Sequence, residues 1–244
     1  MQIFAHRGGA GEAPENTVAA IKQSIDRGVK AVEIDLRIAA DGKFVVTHDN
    51  NAKRTTGVNR LIRNLSSQEL YALDSRHSGP QWPNKRYCGI PSLQRYMRHS
   101  AALQCYQLEL KTDTQREHPQ FIELLKQHFP NKAAAKRVVI TSFDYTLLTS
   151  IAEQLPWLKI GAITYKTEAL AIAKSLNCDY FCIHESICNS AFIKKIANTD
   201  MHISVWTVNN PKSIEKCFKQ GVDSIITDYP SMAIPFVSSL LREK

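Results

Sequence analysis

The chain lacks any apolar run near the ~20 residues that a membrane-spanning helix needs, and its longest hydrophobic stretches are strand-sized. Its opening, MQIFAHRGG, enters a strand pattern at once, without the basic head, apolar core and small-residue cleavage site of a leader. A secretory signal and stable membrane insertion are therefore not expected. Cysteine is sparse, at positions 88, 105, 178, 182, 188 and 217, and none forms a CxxC pair. That spacing argues against a zinc ribbon, and the thiols read as reduced and mostly buried, in keeping with a cytoplasmic protein. No fixed-period repeat, low-complexity tract or linker-like shift in composition occurs, which argues against a solenoid or a string of modules. Nor is there a Lys/Arg-rich block, although the formal net charge is +8. The sequence pI is about 9.2. With its 31 Lys and Arg spread along the chain, this balance suits an anionic small molecule drawn into a phosphate-attracting cleft. No nucleic-acid partner is expected.

What is present is alternation. At 244 residues and 43% hydrophobic, the chain can bury a sizeable core without staples. Strand-like runs are read at Gln2–Ala5, Ala31–Leu36, Cys105–Leu110, Arg137–Thr141, Lys159–Ile163, Tyr180–Ile183, Ile203–Val208 and Ser224–Thr227. Between them lie helix-period segments. One carries Val18, Ile21 and Ile25 and stops at Gly28, and another carries Leu147, Leu148 and Ile151 behind a capping Asp144. A third carries Ile214, Cys217 and Phe218 between Asn210-Pro211 and Gly221. Eight strand–helix alternations predict an α/β fold, a closed (β/α)₈ TIM barrel filling residues 1–244 as one domain. The alternation fails only over residues 37–91. That stretch reads as an insertion after the second strand, with a hairpin turning at Asp41-Gly42 into a strand at Lys43–Thr47.

Barrel enzymes place their chemistry at the C-terminal strand ends. Here those ends carry His6-Arg7, Glu33 and Asp35, Glu109 and Lys111, Trp206 and Asp228, with His48-Asp49 ending the hairpin strand. Residues two apart on a strand share a face, so Glu33 and Asp35 project together, as do Glu109 and Lys111. Three carboxylates converging in a barrel mouth repel one another and are costly to desolvate. One divalent cation, Mg²⁺ or Ca²⁺, would remove the conflict with all-oxygen ligation; internal salt bridges, Glu109 with Lys111 among them, are the alternative. His6 and His48 titrate near neutrality and suit an acid–base pair, or else serve as hydrogen-bonded structural residues. Arg7 and Lys111 suit phosphate oxygens, or else neutralise the carboxylates.

The run His6-Arg7-Gly8-Gly9 followed by Pro14-Glu15-Asn16-Thr17 resembles the opening signature of the glycerophosphodiester phosphodiesterase family. The resemblance continues in order through Val32-Glu33-Ile34-Asp35, His48-Asp49, Arg54-Thr55-Thr56-Gly57, Ile90-Pro91-Ser92-Leu93 and Leu108-Glu109-Leu110-Lys111. It closes with Val205-Trp206-Thr207-Val208-Asn209 and Gly221-Val222-Asp223-Ser224-Ile225-Ile226-Thr227-Asp228. It implies metal-dependent hydrolysis of a glycerophosphodiester to sn-glycerol 3-phosphate and an alcohol. Glu33, Asp35 and Glu109 would hold the metal, and His6 and His48 would be catalytic. Arg7 and Lys111 would bind phosphate, and Trp206 would wall the substrate pocket, a position that also suits packing at the barrel top. Glu15 would support the metal or the glycerol side, or Pro14-Glu15-Asn16 is a helix-start device. Asp228-Tyr229-Pro230 reads as a strand stop and helix cap.

Departures from the family pattern are confined to flanks: Gln107 for a frequent Asn, Asp200 for a usual Gly, and Ser75-Arg76 for a frequent Ala-Gly. They bear on leaving-group preference. Two rival functions remain. A phospholipase-type phosphodiesterase on the same barrel should show amphipathic membrane elements, whereas the insertion is polar and basic. A basic binder of phosphate or nucleic acid should lack the converging carboxylates.

Overall fold

The computed structural model describes residues 1–242. Its strands are β1 (Gln2–His6), β2 (Ala31–Ile38), β3 (Phe44–Val46), β4 (Cys105–Leu110) and β5 (Val138–Ser142). They continue as β6 (Lys159–Thr164), β7 (Tyr180–His184), β8 (His202–Trp206) and β9 (Ser224–Thr227). Eight of them pair in parallel in the order β1-β9-β8-β7-β6-β5-β4-β2, and β1 pairs with β2 to close a barrel. Helices cover the outside between successive strands, as expected of a TIM barrel. Boundaries move by a residue or two from the sequence reading. β5 runs Val138–Ser142, and β8 starts at His202 and stops at Trp206, short of the expected Val208.

The helices begin where local chemistry starts them. Thr17 caps Val18–Asp26 by accepting the Ala20 amide, Asp144 caps Tyr145–Gln154 through Leu147, and Asn210 caps Pro211–Lys219 through Ser213. Their apolar faces close on the outer faces of the barrel strands. Val32, Ile34 and Leu36 of β2 are fully buried in a core that also holds Ile21, Leu93 and Tyr96. Each such side chain contributes roughly 1.5–3 kcal/mol. Inside the barrel, Phe4, Ala31 and Ile226 form a small apolar cluster with Cys105, Tyr180 and Trp206 packed against it. Gln107 is also buried, and its amide donates to the Ser204 hydroxyl at 3.4 Å.

β2 is the longest strand, and its far end carries the irregular segment. Leu36, Arg37 and Ile38 pair antiparallel with Val46, Val45 and Phe44 of β3 across a turn in which Gly42 takes a left-handed φ of 69°. Two short helices follow, Lys53–Thr56 and Ser67–Ala72, the second closed by a reciprocal Ser66–Glu69 capping box. Val45, Ala52, Ile62, Leu65, Leu70 and Ile90 give this segment a small core of its own. Among the described residues, no helix is long and apolar enough to cross a membrane.

Candidate active site

Register aligns the carboxylates. β2 pairs with β4 so that Glu33 faces Gln107 and Asp35 faces Glu109, while His6 of β1 pairs with Glu33. In a parallel ladder, aligned residues point to the same side of the sheet, so both acids of β2 meet Glu109 inside the barrel mouth. One oxygen from each of Glu33, Asp35 and Glu109 lies within 4.8 Å of the others. All three are buried, at 4%, 1% and 8% exposure. Each keeps a buried oxygen without a hydrogen bond: Glu33 Oε1, Asp35 Oδ1 and Glu109 Oε1. The last two lie against the Lys111 ammonium as ion pairs.

These surroundings split the three acids. Burial, then the charge on Asp35, pushes the Glu33 carboxyl up to about 8. Burial likewise raises Glu109, outweighing Lys111. For Asp35, burial acts upward but is overcome by Arg7 and then Lys111, and the group is held below the usual carboxylate range. Protein cations alone thus leave the cluster short of positive charge. Orphaned, all-oxygen donors of this kind fit a hard divalent cation.

The turn after β1 explains the first motif. Arg7, Gly8 and Gly9 all take positive φ. A Cβ on Gly8 would come within 3.2 Å of both Ala20 Cβ and Tyr96 Oη, so glycine lets the turn sit on the first helix. The turn aims the Arg7 guanidinium inward, with Nε 3.2 Å from Asp35 Oδ2 and Nη1 2.9 Å from Glu15 Oε1. Asn16, also at positive φ, is buried and donates its side-chain amide to Asp35 Oδ2 at 2.9 Å. Glu15 therefore does more than start a helix. It holds Arg7 on one side and accepts both terminal nitrogens of Arg54 on the other, at 2.7 and 2.8 Å.

The two histidines are held alike from different elements. His48, on the loop after β3, has Nδ1 2.8 Å from Asp49 Oδ1, and Asp49 Oδ2 accepts Arg54 Nε at 2.6 Å. His6 has Nδ1 2.6 Å from Asp228 Oδ1, and Asp228 Oδ2 accepts the Asn209 amide at 2.6 Å. Asp228 does follow the end of the last strand at Thr227, as a strand stop would, but its carboxylate is spent on His6 and Asn209. The two rings titrate in opposite directions. Burial opposes charge on His6, but the Asp228 hydrogen bond and then Glu33 outweigh it and raise the group. Burial lowers His48, with Arg7 and Lys111 adding to it and Asp35 and Asp49 working against it.

A cavity of about 160 Å³ joins these groups, lined by His6, Arg7, Glu33, His48, Glu109, Lys111 and Trp206. Asp35 lies beneath it and Glu15 behind Arg7, so the nine residues singled out in the sequence form one constellation. Trp206 fits both of its readings, since it lines this cavity while packing on the internal cluster and donating Nε1–H to the Cys182 carbonyl. Phe143 and Tyr165 also line the cavity, stacked at 5.5 Å and each edge-on to Trp206, with the Lys111 ammonium 5.9 Å from the Phe143 ring centroid. Sequence reasoning missed these two rings and also Asp49, Arg54 and Asp228. Asp228 had the clearest signal, because a closed barrel sets its last strand beside its first.

Residues 6–232 match the model of the glycerophosphoryl diester phosphodiesterase family. The chain belongs to this family. A glycerophosphodiester phosphodiesterase of Bacillus altitudinis is 27% identical over 242 residues, covering 96% of each chain. One from Caldanaerobacter subterraneus is also 27% identical, over 96% of this chain and 97% of its own. The structure of an Oleispira antarctica phosphodiesterase, solved with the product sn-glycerol-3-phosphate, superposes with a TM-score of 0.83. Its identity is 27%, over 98% of this chain and 97% of that one. The family makes the protein a phosphodiesterase acting on glycerophosphodiesters, and both the barrel and its mouth agree with that class.

Proposed function

We infer that the protein hydrolyses glycerophosphodiesters to sn-glycerol 3-phosphate and an alcohol, using one divalent cation and two histidines. The observation that carries this reading is the pairing of each imidazole Nδ1 with a carboxylate on the wall of one cavity. With Nδ1–H donated to Asp228 or Asp49, Nε2 is the atom left to exchange a proton with substrate. Arg7 and Lys111 approach the same space and suit the phosphate, Arg7 through its planar fork and Lys111 as a point charge. Glu33, Asp35 and Glu109 would hold Mg²⁺ or Ca²⁺, which when bound neutralises their mutual repulsion and polarises a phosphoryl oxygen. The opposed shifts of His6 and His48 are what an acid–base pair requires. One ring takes the proton of the glycerol hydroxyl next to the ester as that oxygen attacks phosphorus. The other gives a proton to the departing alcohol. In the second step the roles exchange and water opens the cyclic phosphate. Holding attacking hydroxyl and phosphorus in one molecule removes much of the entropic barrier.

The test is release of glycerol 3-phosphate from a panel of glycerophosphodiesters in Mg²⁺ or Ca²⁺. Failure with every ester and both ions would end this reading. An ester whose glycerol lacks the adjacent hydroxyl should turn over at least about 10²-fold more slowly. Normal turnover of that ester would replace the cyclic route by direct attack of water.

Replacing Asp228 with Asn probes the first histidine. The substitution removes the strongest of the influences that raise His6, so its proton is lost at lower pH. Whether His6 acts first as acid or base, the limb of the kcat profile that it governs should move toward acid. The rate should also fall, on the order of 10²-fold or more, because Asn no longer holds the imidazole in one tautomer. An unmoved profile at full rate would remove Asp228 from the site.

A further inference from the structure

His48 differs from His6 and the three clustered carboxylates in having no barrel strand beneath it. It sits on the loop after β3, and its position relative to the carboxylates depends on how that loop is tied down. One tie is the Thr47 amide, which donates to the Asp35 carbonyl at 3.0 Å. Another comes from Arg37. Arg37 follows Asp35 by two residues on β2, where the row of Glu33 and Asp35 runs out beyond the barrel rim. Its Nε donates to the His48 carbonyl at 2.7 Å, and its Nη1 lies 2.9 Å from Asp113 Oδ1. Asp113 stands two residues past Lys111, and its other oxygen accepts the Asn50 amide at 3.4 Å. The Arg37 side chain is only 14% exposed.

We propose that Arg37 is a positioning residue that fixes His48 over the site by stapling its loop to the segment that carries Lys111. The inference rests on the reading of His48 as a catalytic group. An arginine suits the task because its rigid fork donates in two directions at once, toward the carbonyl and toward the carboxylate. A lysine keeps the charge but lacks that fixed two-way geometry. No substrate atom need touch Arg37. Its effect passes through the placement of the imidazole, where an error near 1 Å costs about 10²-fold in rate.

The experiment is a double-mutant cycle between R37M and H48A, measured as steady-state hydrolysis of a glycerophosphodiester with the cation present, with R37K alongside. R37M should lower kcat roughly 10- to 10²-fold while KM stays within about twofold, since Arg7 and Lys111 keep their own ion pairs with the carboxylates. R37K should recover part of the loss. In the H48A background, R37M should cost less than about twofold, because there is no imidazole left to misplace. Wild-type kcat in R37M, with H48A impaired, would overturn the inference. An equal loss in both backgrounds would also overturn it, by showing a structural role. H48A at the wild-type rate would instead overturn the assignment of His48, an outcome visible without any change at Arg37. Should R37M fail to fold, D113N keeps the arginine but removes its anchor, and it takes the same cycle with the same outcomes.

Discussion

Excess chelator should abolish turnover, and added Mg²⁺ or Ca²⁺ should restore it; this is the largest effect expected of the protein. The argument starts from three buried carboxylates whose oxygens lie within 4.8 Å of one another. Arg7 and Lys111 are shared among them, and Glu33 Oε1 has no hydrogen-bond partner. Glu33 is therefore the acid whose charge would depend most on a bound cation. Glu33→Gln keeps the shape of the side chain but removes an anionic donor, and it should lower kcat by on the order of 10³-fold at fixed cation. A second readout does not depend on catalysis. A ligand that binds only the folded state at 100 times its Kd stabilises by about 2.7 kcal/mol. Wild-type Tm should rise on adding the cation, and the Gln variant should lose most of that rise. Full turnover in excess chelator, or a variant with both the rate and the cation-dependent Tm of wild type, would sink the metal assignment.

Removing either histidine should be nearly as costly. His6→Ala and His48→Ala should each lower kcat by on the order of 10²-fold or more. If the two rings serve the same displacement at phosphorus, one as base and one as acid, the double variant should lose much less than the product of the single losses. Wild-type protein should give a bell-shaped pH profile, because one ring must carry a proton while the other is free. The opposite displacements of His6 and His48 keep both conditions available together. Each Ala variant should lose one limb. A variant that retains both limbs and the wild-type rate would show that its histidine is a structural residue.

Much of this site was legible before the fold was seen because its key relations are local. Glu33 and Asp35 share a face through the two-residue period of one strand, and so do Glu109 and Lys111. Capping at Thr17, Asp144 and Asn210 is equally local, set by a side chain and an amide three residues away. The alternation of strand and helix periods carried the barrel, and the ordered motifs carried the family.

What the sequence did not reveal depends on contacts across long stretches of chain. Asp228 and His6 are 222 residues apart, and they meet only because β9 closes on β1. Arg54 and Glu15 are 39 apart, and no periodicity brings the helix Lys53–Thr56 back over the first turn. The small core of the irregular segment does that, standing on the far end of β2. Arg37 looked like one more charge on a basic chain until the loop after β3 folded back onto it. The sequence alone thus determined the barrel strands and the carboxylate rows, both set by residues within a few positions of one another. The tertiary structure decided which partner orients His6, and where Arg54, which holds the Asp49 beside His48, finds Glu15. Such partners are chosen by ring closure and packing, and neither leaves a periodic trace in the chain.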